Sequence, residues 1–262
     1  MNVNDIPLPP QEFMDSVAGA QTTSEMHIAV GRHVYDLVMA RAHIQPTDAV
    51  LDLGSGCGRV ASHFAGNIFG EYHGLDIVLP MVELCRTNIS TRYPNFYFSH
   101  ADVNNTLYRV EGVDASTYVF PFPSNKFNAV FATSVFTHLI PPSARQYARE
   151  IFRVLRPNGR ALLTFYLLND TWRRKLAAGE RFIANFPHDG GGYHTANRNN
   201  PESVVAFEEA DAIQLLTEAG LSIEEVSLGS WSGNPGWSGQ DTILVSKTHR
   251  EETFTGTART RP

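Results

Sequence analysis

Three glycines on alternate positions, Gly54, Gly56 and Gly58, follow the acidic Asp52 in the run V-L-D-L-G-S-G-C-G-R. A second acid, Asp76, closes G-L-D about 20 residues further on, the interval expected between a nucleotide-binding glycine turn and its acidic partner. Glycines between a strand and a helix bring backbone N–H groups and the positive helix end to a ligand, and their bare backbone lets that ligand come close. An acid at the end of the next strand suits the two hydroxyls of a ribose. The pattern asks for a nucleotide.

The spacing narrows the choice. A dinucleotide fingerprint wants its third glycine at position 59, where this chain has Arg59. Asp52 would repel a pyrophosphate, yet it would suit a cationic ammonium group. A ligand with a ribose, a cationic amino-acid end and no phosphate is S-adenosylmethionine. Arg59 is expected to be a first-turn helix residue facing solvent, and Cys57 a filler within the loop.

These residues need a scaffold, and the apolar pattern supplies one. Short β-branched or aromatic runs at 49–53, 71–76, 96–99, 127–133 and 160–168 alternate with helix-like stretches, of which 143–156 is the clearest. Strands alternating with helices imply parallel pairing and a sheet covered on both faces, an α/β class. The spacing predicts an amphipathic helix from Glu25 to Ala42, preceded by a loose, proline-bearing arm over 1–22. Residues 180–207, with Gly190, Gly191 and Gly192 and little periodicity, read as a lid or binding loop. After a helix-like stretch ending at Gly220, two strand-like runs flank W-S-G-N-P-G-W-S-G-Q, and 249–262 reads as a disordered tail.

Composition bounds the function. The 262 residues are 42% hydrophobic, enough for one large domain, and 21 Lys and Arg against 27 Asp and Glu leave a net charge of −6. A negative net charge argues against a bulk electrostatic grip on nucleic acid or anionic lipid. The two cysteines, Cys57 and Cys85, are expected to be reduced thiols. No apolar run is long enough to span a membrane and the N-terminus has no secretory pattern, so a cytoplasmic protein is expected.

D-L-G-S-G-C-G and G-L-D, followed in order by FPFPSNKFNAVFATSVFTHL and REIFRVLRPNGRALLTF, resemble the class I S-adenosylmethionine-dependent methyltransferases of the bacterial small-molecule and glycan group. The resemblance covers roughly 46–248, leaving 1–45 as N-terminal arm and helix. It implies a Rossmann-like, seven-stranded, mostly parallel sheet with helices on both faces and the last strand antiparallel, the W-S-G-N-P-G-W-S-G-Q segment joining strands six and seven. By position it assigns Asp52, Gly54, Gly56 and Gly58 to the methionine part of the cofactor and Asp76 to the ribose, with Ser55 and Ile77 also in the cofactor site. Asp102 would approach the adenine amino group, with Ala101 and Val103 beside the ring. Thr133 and Ser134 would border the reacting methyl. The chain departs from the commoner relatives at Asn128, where many have Asp.

A methyl group on a sulfonium is already a good electrophile, so alignment and exclusion of water carry most of the chemistry. His138, just beyond the fourth strand, is the candidate base for a neutral hydroxyl acceptor, or else closes the methionine pocket. Tyr166, Tyr193 and His194 are weaker candidates. His188, Asp189 and His194 lack a specific metal spacing, and no metal is expected. Enzymes that methylate base amino groups carry an Asp/Asn-Pro-Pro-aromatic tetrad after strand four, where this chain has T-S-V-F, so the expected acceptor is a small molecule or sugar, taken at oxygen, and not a nucleic acid. An NAD-dependent oxidoreductase and a non-catalytic partner subunit are the competing readings.

Overall fold

The computed structural model describes residues 5–107, 111–180, 185–232 and 239–248. Its main sheet has seven strands: β1 (Val50–Leu53), β2 (Tyr72–Asp76), β3 (Phe96–His100), β4 (Phe127–Ala132), β5 (Leu155–Phe165), β6 (Ser222–Ser227) and β7 (Asp241–Ser246). Their spatial order is β6-β7-β5-β4-β1-β2-β3. All run parallel except β7, which pairs antiparallel with both β5 and β6. β1 and β2 are buried along their whole length, as strands covered on both faces must be. Two apolar layers result, one around Leu53, Val130, Phe165 and Phe207, the other around Val50, Phe64, Tyr72 and Phe131.

The helices are α1 (Gln11–Ala18), α2 (Ser24–Ala42), α3 (Ala61–Phe64), α4 (Leu79–Cys85), α5 (Pro141–Val154), α6 (Asp170–Ala177) and α7 (Glu209–Glu218). Thr23 caps α2 by accepting the Met26 N–H, and Pro141 opens α5 where its missing N–H costs nothing. Ala144, Tyr147, Ala148, Ile151 and Val154 give α5 a buried stripe at helical spacing.

Chain order reverses between β1 and β4: the chain walks outward through β1, β2 and β3, then returns to the other side of β1. Ligands bind beyond the strand ends at such a switch point, which here is flanked by Asp52 and Leu53 on one strand and Thr133 and Ser134 after the other.

Two regions differ from the sequence expectation. The arm holds a two-turn helix, α1, anchored by buried Met14 and by Gln11, whose side-chain amide donates to Asp15 and to the Thr22 carbonyl. The segment read as a lid or binding loop of little periodicity carries short strands at His188–Asp189, His194–Thr195 and Val205–Glu208. With Leu167–Leu168 they form a four-stranded sheet. Its strands are two to four residues long, too short to leave a periodic signature, and backbone pairing holds them. The tail at 249–262 and the tip of the segment between β6 and β7 lie outside the described residues. No helix among the described residues is long and apolar enough to cross a membrane.

Candidate active site

A cavity of about 610 Å³ opens at the switch point, within the range of small-molecule sites. Asp52, Gly54, Ser55, Gly56, Asp76, Ile77, Ala101, Val103, Thr133, Ser134 and His138 all line it, so most residues marked from the sequence come together. Two do not. Asp102 is exposed and outside the lining, because successive residues of an extended segment face opposite ways and Ala101 and Val103 take the inner side. The adenine contact expected of it therefore does not follow from this geometry. Gly58 also faces away: with φ +82°, a Cβ there would lie 2.7 Å from Ile89 Cδ1 and 3.0 Å from Cys85 Sγ. Its bareness lets the loop pack on the segment after β2.

The glycine loop is spoken for. The N–H groups of Gly54 and Ser55 both donate to the Leu75 carbonyl, that of Gly56 to Asp76 Oδ2 and that of Gly58 to the Ser55 carbonyl. Asp76 Oδ1 accepts the Val78 N–H at 2.8 Å. A phosphate cradle needs unsatisfied N–H groups, and at these four positions the loop offers none. This corrects the expectation of free donors around the glycines, and it also speaks against a pyrophosphate. Each Asp76 oxygen keeps lone-pair capacity for a further donor, which suits ribose hydroxyls. Burial holds the Asp76 carboxyl above its ordinary value, opposed by these backbone N–H bonds.

Asp52 is 1% exposed, and burial pushes it up to about 7 despite the Tyr72 hydroxyl bonded to it. A desolvated carboxylate with one protein partner is a ready site for a cation. Arg59, expected to face solvent, instead lines the cavity. Cys57 lines it too, its thiol pushed up to about 11 by burial and so protonated and unreactive.

His138 stands in a short turn after β4, where its Nδ1 lies 3.0 Å from the Glu202 carbonyl and therefore carries the proton. The Asn105 amide donates to the His138 carbonyl. Burial lowers the His138 pKa, against the backbone hydrogen bonds of Glu202 and Ser203 that favour the charged ring, so the ring is neutral at neutral pH. Ser134 sits at φ +58°, strained for a non-glycine; its N–H donates to Thr164 Oγ1 and its hydroxyl to Gln240 Oε1.

Several lining residues carry no sequence signal for the role. Tyr147 follows the apolar spacing of α5 and reads as core, yet it borders the cavity, its phenol held protonated by burial. Asn104, Asn105 and Val204 come from irregular segments, and Ser16, Val17 and Gly19 from the N-terminal arm. Of the weaker candidates, Tyr166 lines the cavity, while Tyr193 and His194 do not. Among the described residues no group of three His, Cys, Asp or Glu could hold a metal ion. His194 faces Glu208 at 3.5 Å instead.

Residues 50–159 match the family described as methyltransferase domain. Over 122 residues the chain is 26% identical to phosphoethanolamine N-methyltransferase 2 of Caenorhabditis elegans, a match that covers 47% of this chain and 24% of that protein. The chain thus spans about a quarter of that relative's length. Among solved structures, an S-adenosylmethionine-dependent methyltransferase from Methanosarcina mazei superposes with a TM-score of 0.55 at 22% identity, covering 80% of this chain and 97% of that one. The [4+2]-cyclase SpnF gives a TM-score of 0.58 at 19% identity over 84% and 82% of the two chains. At such identities these structures establish the fold.

Proposed function

From the methyltransferase-domain match over residues 50–159, we propose that the chain is a class I S-adenosylmethionine-dependent methyltransferase and that it methylates a small, uncharged, hydroxyl-bearing acceptor such as a sugar or phenol. The observation that carries the acceptor class is the charge distribution in the cavity. Its described lining holds two acids, Asp52 on β1 and Asp76 at the end of β2, and one cation, Arg59, in the segment after β1, all on the side assigned to the cofactor. The remainder is neutral: Asn104, Asn105, Leu139, Tyr147, Tyr166 and Val204, with His138 uncharged. An ammonium or phosphate on the acceptor would meet no counter-charge there, at a desolvation cost of several kcal/mol on the order of that for any unpaired buried ion. The substrate in the curated relative's name, which carries both charges, is therefore not carried over to this chain.

When bound, S-adenosylmethionine supplies a methyl group activated by its sulfonium. Asp52 receives the ammonium end and Asp76 the ribose, while Ile77, Ala101 and Val103 give the adenine an apolar bed. Thr133 and Ser134, on a backbone stiffened by Thr164 and Gln240, border the reacting centre. α1 and the 200–204 segment exclude water. Alignment of this kind supplies about 7–11 kcal/mol of barrier lowering. His138 acts chiefly by pinning the 200–204 segment through the Glu202 carbonyl, as a positioning residue and not as a base. The buried thiols fit the cytoplasmic location expected from the sequence.

The competing NAD reading is opposed by the engaged glycine N–H groups and by Asp52; the non-catalytic reading, by the open cavity. Mass spectrometry of ligand released from the purified protein, followed by a labelled-methyl assay across sugars, phenols, amines and carboxylates, tests the proposal. Transfer confined to amines or phosphorylated acceptors would refute the acceptor class.

A further inference from the structure

A polar network stands at the ends of β4 and β5, and its donors and acceptors can be placed one by one. The Ser134 N–H donates to Thr164 Oγ1 at 2.7 Å. The Thr164 hydroxyl donates to Gln240 Oε1 at 2.6 Å, and the Ser134 hydroxyl reaches the same oxygen at 3.2 Å. A contact of 2.6 Å is ordinary between two oxygens and too short for an amide nitrogen, so the side-chain carbonyl of Gln240 faces Thr164. Its Nε2 is thereby turned to Tyr166, whose hydroxyl oxygen it meets at 3.5 Å. An amide NH2 can only donate, so the Tyr166 oxygen accepts and its own proton remains for another partner. Tyr166 lines the cavity, whereas Thr164 and Gln240 stand behind it. The phenol is also held by packing: its ring lies against Phe186 and Trp231, with centroids 5.3 and 5.0 Å away, and its backbone carbonyl accepts the Phe207 N–H. A hydroxyl so fixed, with its proton directed to a ligand cavity, is built to donate.

We propose that Tyr166 selects the acceptor by donating a hydrogen bond to a second oxygen beside the hydroxyl that is methylated. The inference rests on the reading of the acceptor as neutral and hydroxyl-bearing, and narrows it to compounds with two adjacent oxygens, as in the diol of a sugar or a catechol. Gln240 joins Tyr166 to Ser134, so the phenol stands one amide group from the residue that borders the reacting centre. A donor on the attacking oxygen would draw off the electron pair that attack uses. A donor on the neighbouring oxygen fixes the approach and leaves that pair available. An acceptor without the second oxygen leaves the half-buried phenol proton unpaired, and that cost is what discriminates.

The test is labelled-methyl transfer to two matched pairs, catechol against phenol and cis-cyclohexane-1,2-diol against cyclohexanol, by the wild type, Tyr166→Phe and Gln240→Glu. The wild type should favour the diol of a pair by about tenfold or more in kcat/KM, beyond the factor of about two that a second hydroxyl adds by number alone. Tyr166→Phe keeps the ring packing and removes the proton, so the preference should shrink to within about threefold, through a higher KM for the diol more than a lower kcat. Gln240→Glu keeps the oxygen for Thr164 and puts an acceptor where Nε2 stood. That acceptor takes the Tyr166 proton, so the preference should fall in the same way although the phenol is intact. Unchanged calorimetric affinity for S-adenosylhomocysteine shows that the variants are folded. A preference that survives Tyr166→Phe, or a wild type that shows none, overturns the role of Tyr166 while the acceptor reading stands. A wild type that methylates none of the four compounds overturns the acceptor reading itself.

Discussion

The Tyr72 hydroxyl donates a 2.6 Å hydrogen bond to Oδ2 of Asp52, and both side chains are buried. One oxygen of the acid is thereby committed to the scaffold, and the other is left to the cavity. Because burial outweighs this bond, Asp52 titrates at about 7 in the folded chain against an ordinary 3.8.

A pH signature follows. The folded state holds the Asp52 proton to higher pH than the unfolded state, so this group's contribution to stability falls as pH rises from about 4 to about 7. Asp52→Asn keeps an acceptor for Tyr72 and removes the charge. It should be the more stable protein at pH 8, by up to about 4 kcal/mol, with the gap closing toward pH 5. The same variant should bind cofactor poorly, and wild-type affinity should drop below pH 7 as the acid is protonated. Thermal melts from pH 5 to 8 that show a constant gap would sink this account.

Asp76 has two tasks, and one substitution reaches both. Asp76→Ala frees the Gly56 and Val78 N–H groups and removes the ribose acceptors. Affinity for S-adenosylhomocysteine should fall by about 1.5–3 kcal/mol. Binding of 5′-methylthioadenosine should fall with it, since that probe keeps the ribose. Unchanged calorimetric affinity would rule out the ribose role.

His138→Gln separates positioning from base catalysis. A residue that pins the 200–204 segment should, when replaced, raise the KM for the acceptor while kcat at saturation changes less than about tenfold. The wild-type rate should show no inflection near the ordinary histidine value of about 6.5, because the buried ring is already neutral there. A loss of 100-fold or more in kcat, with a wild-type acid limb, would restore the imidazole as general base.

α1 is a short, lightly held part of the cavity wall. It spans two turns, lacks a side-chain cap at Pro10, and reaches the glycine loop through Val17, whose Cγ1 would lie 3.1 Å from a Cβ at Gly56. Helices this short are marginal alone. Amide exchange over 11–18 should slow when S-adenosylhomocysteine is added, while Val205–Glu208, already paired, changes little. Equal exchange in both conditions would remove α1 from the closure.

The main sheet was legible because its first strands are short, β-branched or aromatic stretches alternating with helix-like ones; β1 to β4 and α5 lie within two residues of their predicted ends, whereas β5 begins five residues early. The glycine loop was legible for a similar reason, since Asp52 and Asp76 flank it at a recognisable interval. What stayed hidden depends on contacts between distant segments. Arg59 looks like any first-turn arginine until Gly31 of α2 is seen beneath it. Glu202 gives His138 a partner through its backbone, which has no residue code. Asp241 seems an ordinary acid at the head of β7, yet it is fully buried, accepting from the N–H groups of Leu167 and Gly229 and from the Trp231 indole.

The place of β7 bears on how the molecule is made. The last strand among the described residues lies between β5 and β6 and is not added at an edge. During synthesis β1 to β5 emerge and can pair, but β6 has no partner until β7 has left the ribosome. Asp241, deep in that late strand, then ties down the loops after β5 and β6 in one step. A transcript cut short before residue 241 would yield a nascent sheet with β5 as an open edge, a substrate for chaperones and proteases whatever the quality of its cofactor loop.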